Sequence, residues 1–207
     1  MKARVSALVA VLIVTALLPI VAVGIGKSNV KSPDSTVESA VSESGNNNEI
    51  LPGLIAAVCG ESFCPEAVKA VAIIINTCLI ADESSFNLES RDEYIPESEL
   101  NNLDPDFYNQ ITDAVRINSN NYILMEKKAQ YIPFSKTSNG GTISNPEYPY
   151  IQPAASPWDC FADDYDKNAE CDGVSLSGIN YLCENGYTAE EAIKWYIPAA
   201  EIEESSD

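Results

Sequence analysis

Between residues 65 and 79 the sequence PEAVKAVAIIINTCL sets Val68, Val71, Ala72, Ile75 and Leu79 at three- and four-residue intervals, the recurrence of one helix face. Ile73 and Ile74 carry the apolar surface nearly all round, so the spacing predicts a largely buried helix that starts at Cys64 or Pro65. Pro65 suits a first helical position, where a backbone N–H has no partner to lose, and Glu66 suits the positive end of the helix dipole. A second helix is expected after LDPDF, with Asp104 as cap, Pro105 next, and Phe107, Ile111, Ala114 and Val115 facing inward. NYILMEKKAQYIPF has the pattern of a hairpin with arms at 122–125 and 131–134 around a charged turn. KTSNGGTISNPEYP is polar and glycine-rich, which predicts a loop. Residues 175–185 have helical spacing, and Gly186 ends them. Thr188 and Glu191 then form a Thr-x-x-Glu capping box that opens a last helix through Tyr196. Helices and hairpins mix without a strand–helix alternation. The chain is therefore expected to hold one compact α+β domain rather than a doubly wound parallel sheet.

The ends of the chain have a different pattern. Residues 5–26 contain no charge and are mostly Ala, Val, Leu and Ile, with Lys2 and Arg4 before them and Lys27 and Lys31 after. At about 1.5 Å per residue this run reaches the roughly 30 Å of hydrocarbon that a membrane helix must cross. Its end, IVAVGIGK, is a poor cleavage site, so residues 1–26 are expected to be an uncleaved anchor, with a cleaved signal as the alternative. The leading Lys2 and Arg4 keep the short tail in the cytoplasm, which predicts a single-pass protein of the cell membrane with its domain on the extracytoplasmic side. Residues 27–48 are rich in Ser, Asn, Asp and Glu and lack aromatics, the composition of a flexible stalk. The folded domain is expected over 49–202, followed by an acidic tail at 203–207.

Charge and residue usage narrow the function. Lys and Arg number 12 against 31 Asp and Glu, a formal net charge of −19 over 207 residues, which argues against nucleic acid and against anionic lipid as a partner. The acids over 83–99 are most simply a solvated face. The chain has no histidine, so Ser-His and Cys-His nucleophilic sites and histidine-ligated metals are excluded. Six cysteines, Cys59, Cys64, Cys78, Cys160, Cys171 and Cys183, all follow the apolar run. In an exported domain an even count allows disulfides, with the pairing open. The spacing Cys59-x4-Cys64 is loose for zinc, so disulfides or buried thiols are preferred, and no metal or cofactor is expected.

The candidate chemistry centres on AAVCGESFCPEAV, where Glu61 ends an apolar run beside Phe63 and two cysteines. One reading is a solvated acid before a helix. The other is a carboxyl group in a partly apolar pocket, raised in pKa by desolvation so that it stays protonated near neutral pH.

Four blocks in order carry a resemblance. LPGLIAAVCGESFCPEAVKAVAIIINTCL is similar to an opening of apolar strand, glutamate, Ser-Phe and helix. DAVRINSNNYILMEKKAQYIPFSKTSNGGT is similar to a hairpin followed by an aromatic-His-Ser-Thr-Ser-Gly-Gly loop. YPYIQPAASPWD matches Pro-Tyr-Leu followed by Ser-Pro-Trp-Asp, and CDGVSLSGINYLCENGYTAEEAIKWYIPAAEI matches the closing segment. Together they resemble the stage II sporulation protein D family and its amidase-enhancer relatives over about residues 51–202.

The resemblance implies a lytic transglycosylase that cuts peptidoglycan glycan strands, with Glu61 as the catalytic residue. In that chemistry one carboxyl group suffices. It protonates the glycosidic oxygen, then removes the proton from the muramyl C6 hydroxyl, which closes a 1,6-anhydro ring without an added water. The resemblance also implies substrate contacts from Ser135, Thr137, Ser138, Gly140 and Asp172, with Asn139 and Gly141 in the same loop, and places Tyr148, Tyr150 and Trp158 near sugar rings or in packing roles. The partners implied are peptidoglycan glycan strands and, for a non-catalytic binding module of the same fold, another cell-wall hydrolase. This chain departs from the family pattern at several points. The loop after Glu61 is about three residues shorter, Asn76 stands for an Arg, Ser135 and Asp172 stand for His residues, and residues 80–100 lack the His and Cys by which some relatives bind zinc.

Overall fold

The computed structural model describes residues 44–82, 84, 86–90, 92–163 and 165–204. The expected anchor over 1–26 and most of the expected stalk over 27–48 lie outside the described residues. Among the described residues no helix is long and apolar enough to cross a membrane.

Helix α1, Ser44–Val58, begins inside the segment expected to be stalk and runs through the apolar stretch that the resemblance implies to be a strand. Leu51, Leu54 and Ile55 explain the difference, because they stand at i, i+3 and i+4 and are fully buried together on one helical face. Helix α2, Pro65–Ala81, starts at the expected proline and buries Val68, Val71, Ala72 and Ile75 as the spacing requires. Its apolar girth has a direct use, since α2 divides the core in two. Val68, Val71, Ala72 and Ile75 pack with Leu51, Leu54, Phe107 and Ile111 on one side. Ala67, Ala70, Ile74 and Cys78 pack with Ile123, Ile179, Ile193 and Tyr196 on the other.

The short helix α3, Glu97–Leu100, leads to α4, Pro105–Asn118, capped by Asp104, whose Oδ1 accepts from the backbone N–H of Asp106 and of Phe107. Strand β1, Asn121–Met125, follows at once. Two polar side chains of α2 fix its entry. Asn76 Nδ2 donates to the carbonyls of Ser119 and Asn121, and Thr77 Oγ1 accepts from Ile123 N–H at 2.9 Å. Asn76, buried at 2% exposure, is therefore a positioning amide.

The hairpin is tighter than the pattern predicted. Its second arm is β2, Lys128–Ala129, and the turn is Glu126-Lys127 alone, with φ of 54° and 64°. Two consecutive left-handed residues make the two-residue turn whose twist matches paired strands. The expected arm at 131–134 instead leads into β3, Phe134–Ser135, which pairs in parallel with β4, Val174–Ser175. Beyond β4 come α5, Leu176–Glu184, capped by Ser175, and α6, Ala189–Tyr196, opened by the Thr188/Glu191 capping box. Glu66 Oε2 accepts from Ala189 N–H at the start of α6, and a hydrogen bond from Lys69 holds the Glu66 carboxyl below the ordinary range. Strand β5, Glu201–Glu204, pairs antiparallel with β1 and makes the order β2-β1-β5. Glu203 and Glu204, expected in a frayed tail, are thus sheet residues. Helices flanking two small sheets make the domain α+β.

The capping box offers a direct check. Thr188→Ala removes the hydroxyl that accepts from Glu191 N–H, and the expected cost is about 1 kcal/mol in denaturant unfolding, with Thr188→Ser restoring most of it.

Candidate functional site

The chain leaves α1 at Val58 and enters α2 at Pro65 through a tight turn closed by a hydrogen bond from Phe63 N–H to the Gly60 carbonyl at 3.0 Å. Glu61 lies within this turn, and its side chain is exposed. The partly apolar pocket expected around Glu61 therefore does not enclose its side chain. The residues on either side of it, Gly60 and Ser62, line a cleft of about 400 Å³ together with Val58 and Phe63.

Ala57 and Cys59 add to the same wall, and the rest comes from three places. Lys136 follows β3, Trp158 and Phe161 belong to the 3-10 turn Pro157–Phe161 with Ala162 and Asp163 just after it, and Ser177, Asn180, Tyr181 and Glu184 belong to α5. Those four α5 residues stand at i, i+3, i+4 and i+7, the polar face of an amphipathic helix. The turn carrying Glu61 is tied to that helix by Cys64 N–H donating to Asn180 Oδ1 at 2.8 Å. Asn180 Nδ2 donates in turn to Glu184 Oε1, and Ser177 Oγ donates to the Lys136 carbonyl at 2.6 Å.

Aromatic rings form a continuous series along this cleft. Trp158 stacks on Tyr181 with centroids 5.3 Å apart and planes within 3°. Phe161 stacks on Tyr181 from a position 76% exposed, and Trp195 meets Trp158 at a tilt. Such faces suit a ligand with apolar C–H surfaces and hydroxyl edges, because the rings take the apolar faces and Lys136, Ser177, Asn180 and Glu184 take the polar rim.

No family model matches this chain, and no curated protein matches it.

Behind the aromatic series lies a buried carboxyl group. Asp159 is 1% exposed. Its Oδ2 accepts from Ser138 N–H, Ser138 Oγ and Ser175 Oγ, and its Oδ1 accepts from Ser156 Oγ at 2.8 Å. Since the Ser156 proton goes to Asp159, the Tyr196 hydroxyl donates to Ser156 Oγ at 2.6 Å. Burial pushes the Tyr196 phenol well above its ordinary range, and the neighbouring Asp159 adds to the shift. Gly178 is required here because a Cβ at that position would collide with the Tyr196 and Ser156 hydroxyls. One side chain thus gathers the glycine-rich loop, the Ser-Pro-Trp-Asp turn, the start of α5 and the end of α6.

The expected binding residues fall mostly around this network rather than on the cleft surface. Ser138 is fully buried on Asp159, Thr137 is buried beside it, and Gly140 turns the loop with φ of 115°. Ser135 sits in β3 beside Cys171, and Asp172 accepts from Asn145 Nδ2 at 2.6 Å. None of these five is among the residues that line the cleft with Gly60 and Ser62; Lys136, between Ser135 and Thr137, is. Tyr148 and Tyr150 pack with Tyr131, and Tyr150 Oη donates to the Tyr131 carbonyl. Of the three expected aromatics, Trp158 alone reaches the cleft. Among the described residues no group of three or more His, Cys, Asp or Glu side chains could hold a metal ion.

Proposed function

We propose that the chain is a membrane-anchored, extracytoplasmic peptidoglycan lytic transglycosylase-like protein that cleaves glycan strands and leaves 1,6-anhydromuramyl ends during sporulation or wall remodelling. The observation that carries this reading is the position of Glu61. Its two neighbours line a cleft furnished with stacked aromatic rings and a rim of Ser177, Asn180, Lys136 and the carboxylates Asp163 and Glu184. In the proposed reaction a glycan lies along Trp158, Phe161 and Tyr181, covers the turn, and removes water from Glu61. Glu61 donates a proton to the glycosidic oxygen and then takes one from the muramyl C6 hydroxyl, and that hydroxyl closes on the anomeric carbon. The covering glycan supplies the desolvation that the exposed turn lacks.

A second reading has its own support. The exposure of Glu61, with the Asp159 network serving structure, favours a glycan-binding module that localises another wall hydrolase. Incubating the protein with purified peptidoglycan, then sedimenting and analysing the muropeptides, separates the two. Anhydro ends in the supernatant support cleavage, and retention without new ends supports the module.

Both readings require the aromatic series. Phe161→Ala removes an exposed ring without touching the core, and sedimentation should show about tenfold weaker retention, the equivalent of ~1.4 kcal/mol. Unchanged retention would move the glycan off this cleft.

A further inference from the structure

We infer that Cys64 and Cys183 are a redox pair whose disulfide clamps the Glu61 turn to helix α5. Cys64 is the N-cap residue of α2, directly after the turn, and Cys183 lies in the last turn of α5. Cys64 packs against the buried cluster that contains Cys183, and the Cys64 thiol is near enough to raise the pKa of the Cys183 thiol. The backbone at Cys64 is already docked on the same helix through Asn180, one turn before Cys183. Both sulfurs sit in one apolar cluster, Cys183 buried and Cys64 packed against it.

The other thiols are placed differently. Cys78 Sγ is engaged by the Ile132 backbone, Cys171 adjoins Ser135, and Cys160 is exposed on the 3-10 turn. Cys59 borders the cleft, but it is buried in the other apolar cluster, with Leu54 and Val68, and not in the one that holds Cys183.

Accessibility sets the order of the reaction. Cys64 is half-buried, whereas burial and the neighbouring Cys64 push the Cys183 thiol up to about 12. Cys64 is therefore the thiol that meets an external disulfide. Its sulfur attacks, one oxidant thiol leaves, and a mixed disulfide forms. Cys183 then loses its proton and attacks the Cys64 sulfur, expelling the second oxidant thiol. The protein gives up two electrons and two protons, and the oxidant disulfide takes them as two thiols. An exported domain meets such oxidants, and a cytoplasmic one does not.

The cross-link would close a long loop between distant parts of the sequence, the case in which the unfolded chain is restrained most. It would also fix the span between Phe63 on the turn and Asn180, Tyr181 and Glu184 on α5, all of which line the cleft. The inference holds whatever ligand the cleft takes.

The test uses the full chain in detergent, carrying Cys160→Ser to remove the exposed competitor, reduced and then equilibrated with oxidised glutathione. Intact mass should fall by about 2 Da, and peptide mapping should find Cys64 joined to Cys183. The oxidised form should melt on the order of 10 °C above the reduced form, and Cys64→Ser or Cys183→Ser should each abolish that difference. Linkage to any other cysteine, alkylation of both thiols after oxidation, or equal melting of the two forms would overturn the inference. The mapping needs neither serine variant, so a variant that fails to fold leaves the test intact.

Discussion

If the proposed cleavage is the activity, Glu61→Gln is expected to abolish the release of 1,6-anhydromuramyl ends from purified peptidoglycan, while retention on the glycan stays unchanged. The substitution keeps the size of the side chain and its capacity to accept a hydrogen bond, and removes the proton that titrates. Proton transfer by a placed side chain contributes roughly 10²–10⁴-fold, so the loss in rate should be of that size. Folding should be spared, because Glu61 is exposed in a turn held by backbone bonds and by the Cys64–Asn180 contact. Muropeptide chromatography with mass detection gives the answer. Wild-type protein that yields no anhydro ends would leave the binding-module reading standing. Release of free reducing ends would sink the transglycosylase mechanism, since those ends require water as nucleophile. Anhydro ends produced equally well by the glutamine variant would remove Glu61 from the chemistry.

How far the sequence discloses this architecture depends on the range of the interactions. Helix α2 is legible because its determinants are local: a proline at the start, apolar residues at helical intervals, and no interior breaker. The caps at Asp104 and Thr188 are legible for the same reason, whereas Ser175, read as the first residue of its helix, is the cap instead. Helix α1 is harder to see, because Pro52 and Gly53 interrupt the pattern that Leu51, Leu54 and Ile55 would otherwise announce. Gly53 answers a tertiary demand. A Cβ there would collide with the Ile95 carbonyl and the Tyr94 ring, and Ile95 N–H donates to the Gly53 carbonyl. The hairpin shows the same limit. Its turn uses Glu126 and Lys127 where Asn-Gly would be the usual signal, so the arm at 128–129 is invisible to turn chemistry.

The candidate site divides along the same line. That Glu61 precedes a Pro-led helix is local and legible; that it follows a helix rather than a strand is not. The stripe Ser177, Asn180, Tyr181, Glu184 was available as the polar face of a helix whose limits the spacing already gives. What local pattern cannot supply is Asp159. Its partners Ser138, Ser156 and Ser175 come from three separate segments, and serines in polar loops resemble surface residues until a buried acid draws them inward. The same fact explains why Ser138 and Thr137, expected to meet sugar, lie beneath the surface.

Asp159→Ala should be the most destabilising single substitution in the cleft region. It strips acceptors from Ser138 N–H and from the Ser138, Ser156 and Ser175 hydroxyls, in a place where water has no access. A buried donor left without its partner costs about 1–3 kcal/mol, and relaxation lets some of these donors share or rotate, so the net expectation is about 3–5 kcal/mol. For a domain of this size that corresponds to a fall in Tm of roughly 10–15 °C. The effect should reach the cleft, because Trp158 precedes Asp159 in the same 3-10 turn and stacks on Tyr181. A flattened near-ultraviolet circular dichroism band, with far-ultraviolet signal retained, would report the loosened indole. Asp159→Asn keeps one acceptor oxygen but turns an amide toward hydroxyl donors, and should cost less than alanine. Ser138→Ala removes one donor to Asp159 and the acceptor of a long bond from Gly140 N–H, and should cost about 1–2 kcal/mol, a smaller loss that can be measured even if Asp159→Ala does not fold. A loss under about 1 kcal/mol for Asp159→Ala would show that the four donors find other partners, and the network would then no longer explain why the glycine-rich loop, the tryptophan turn and α5 hold together.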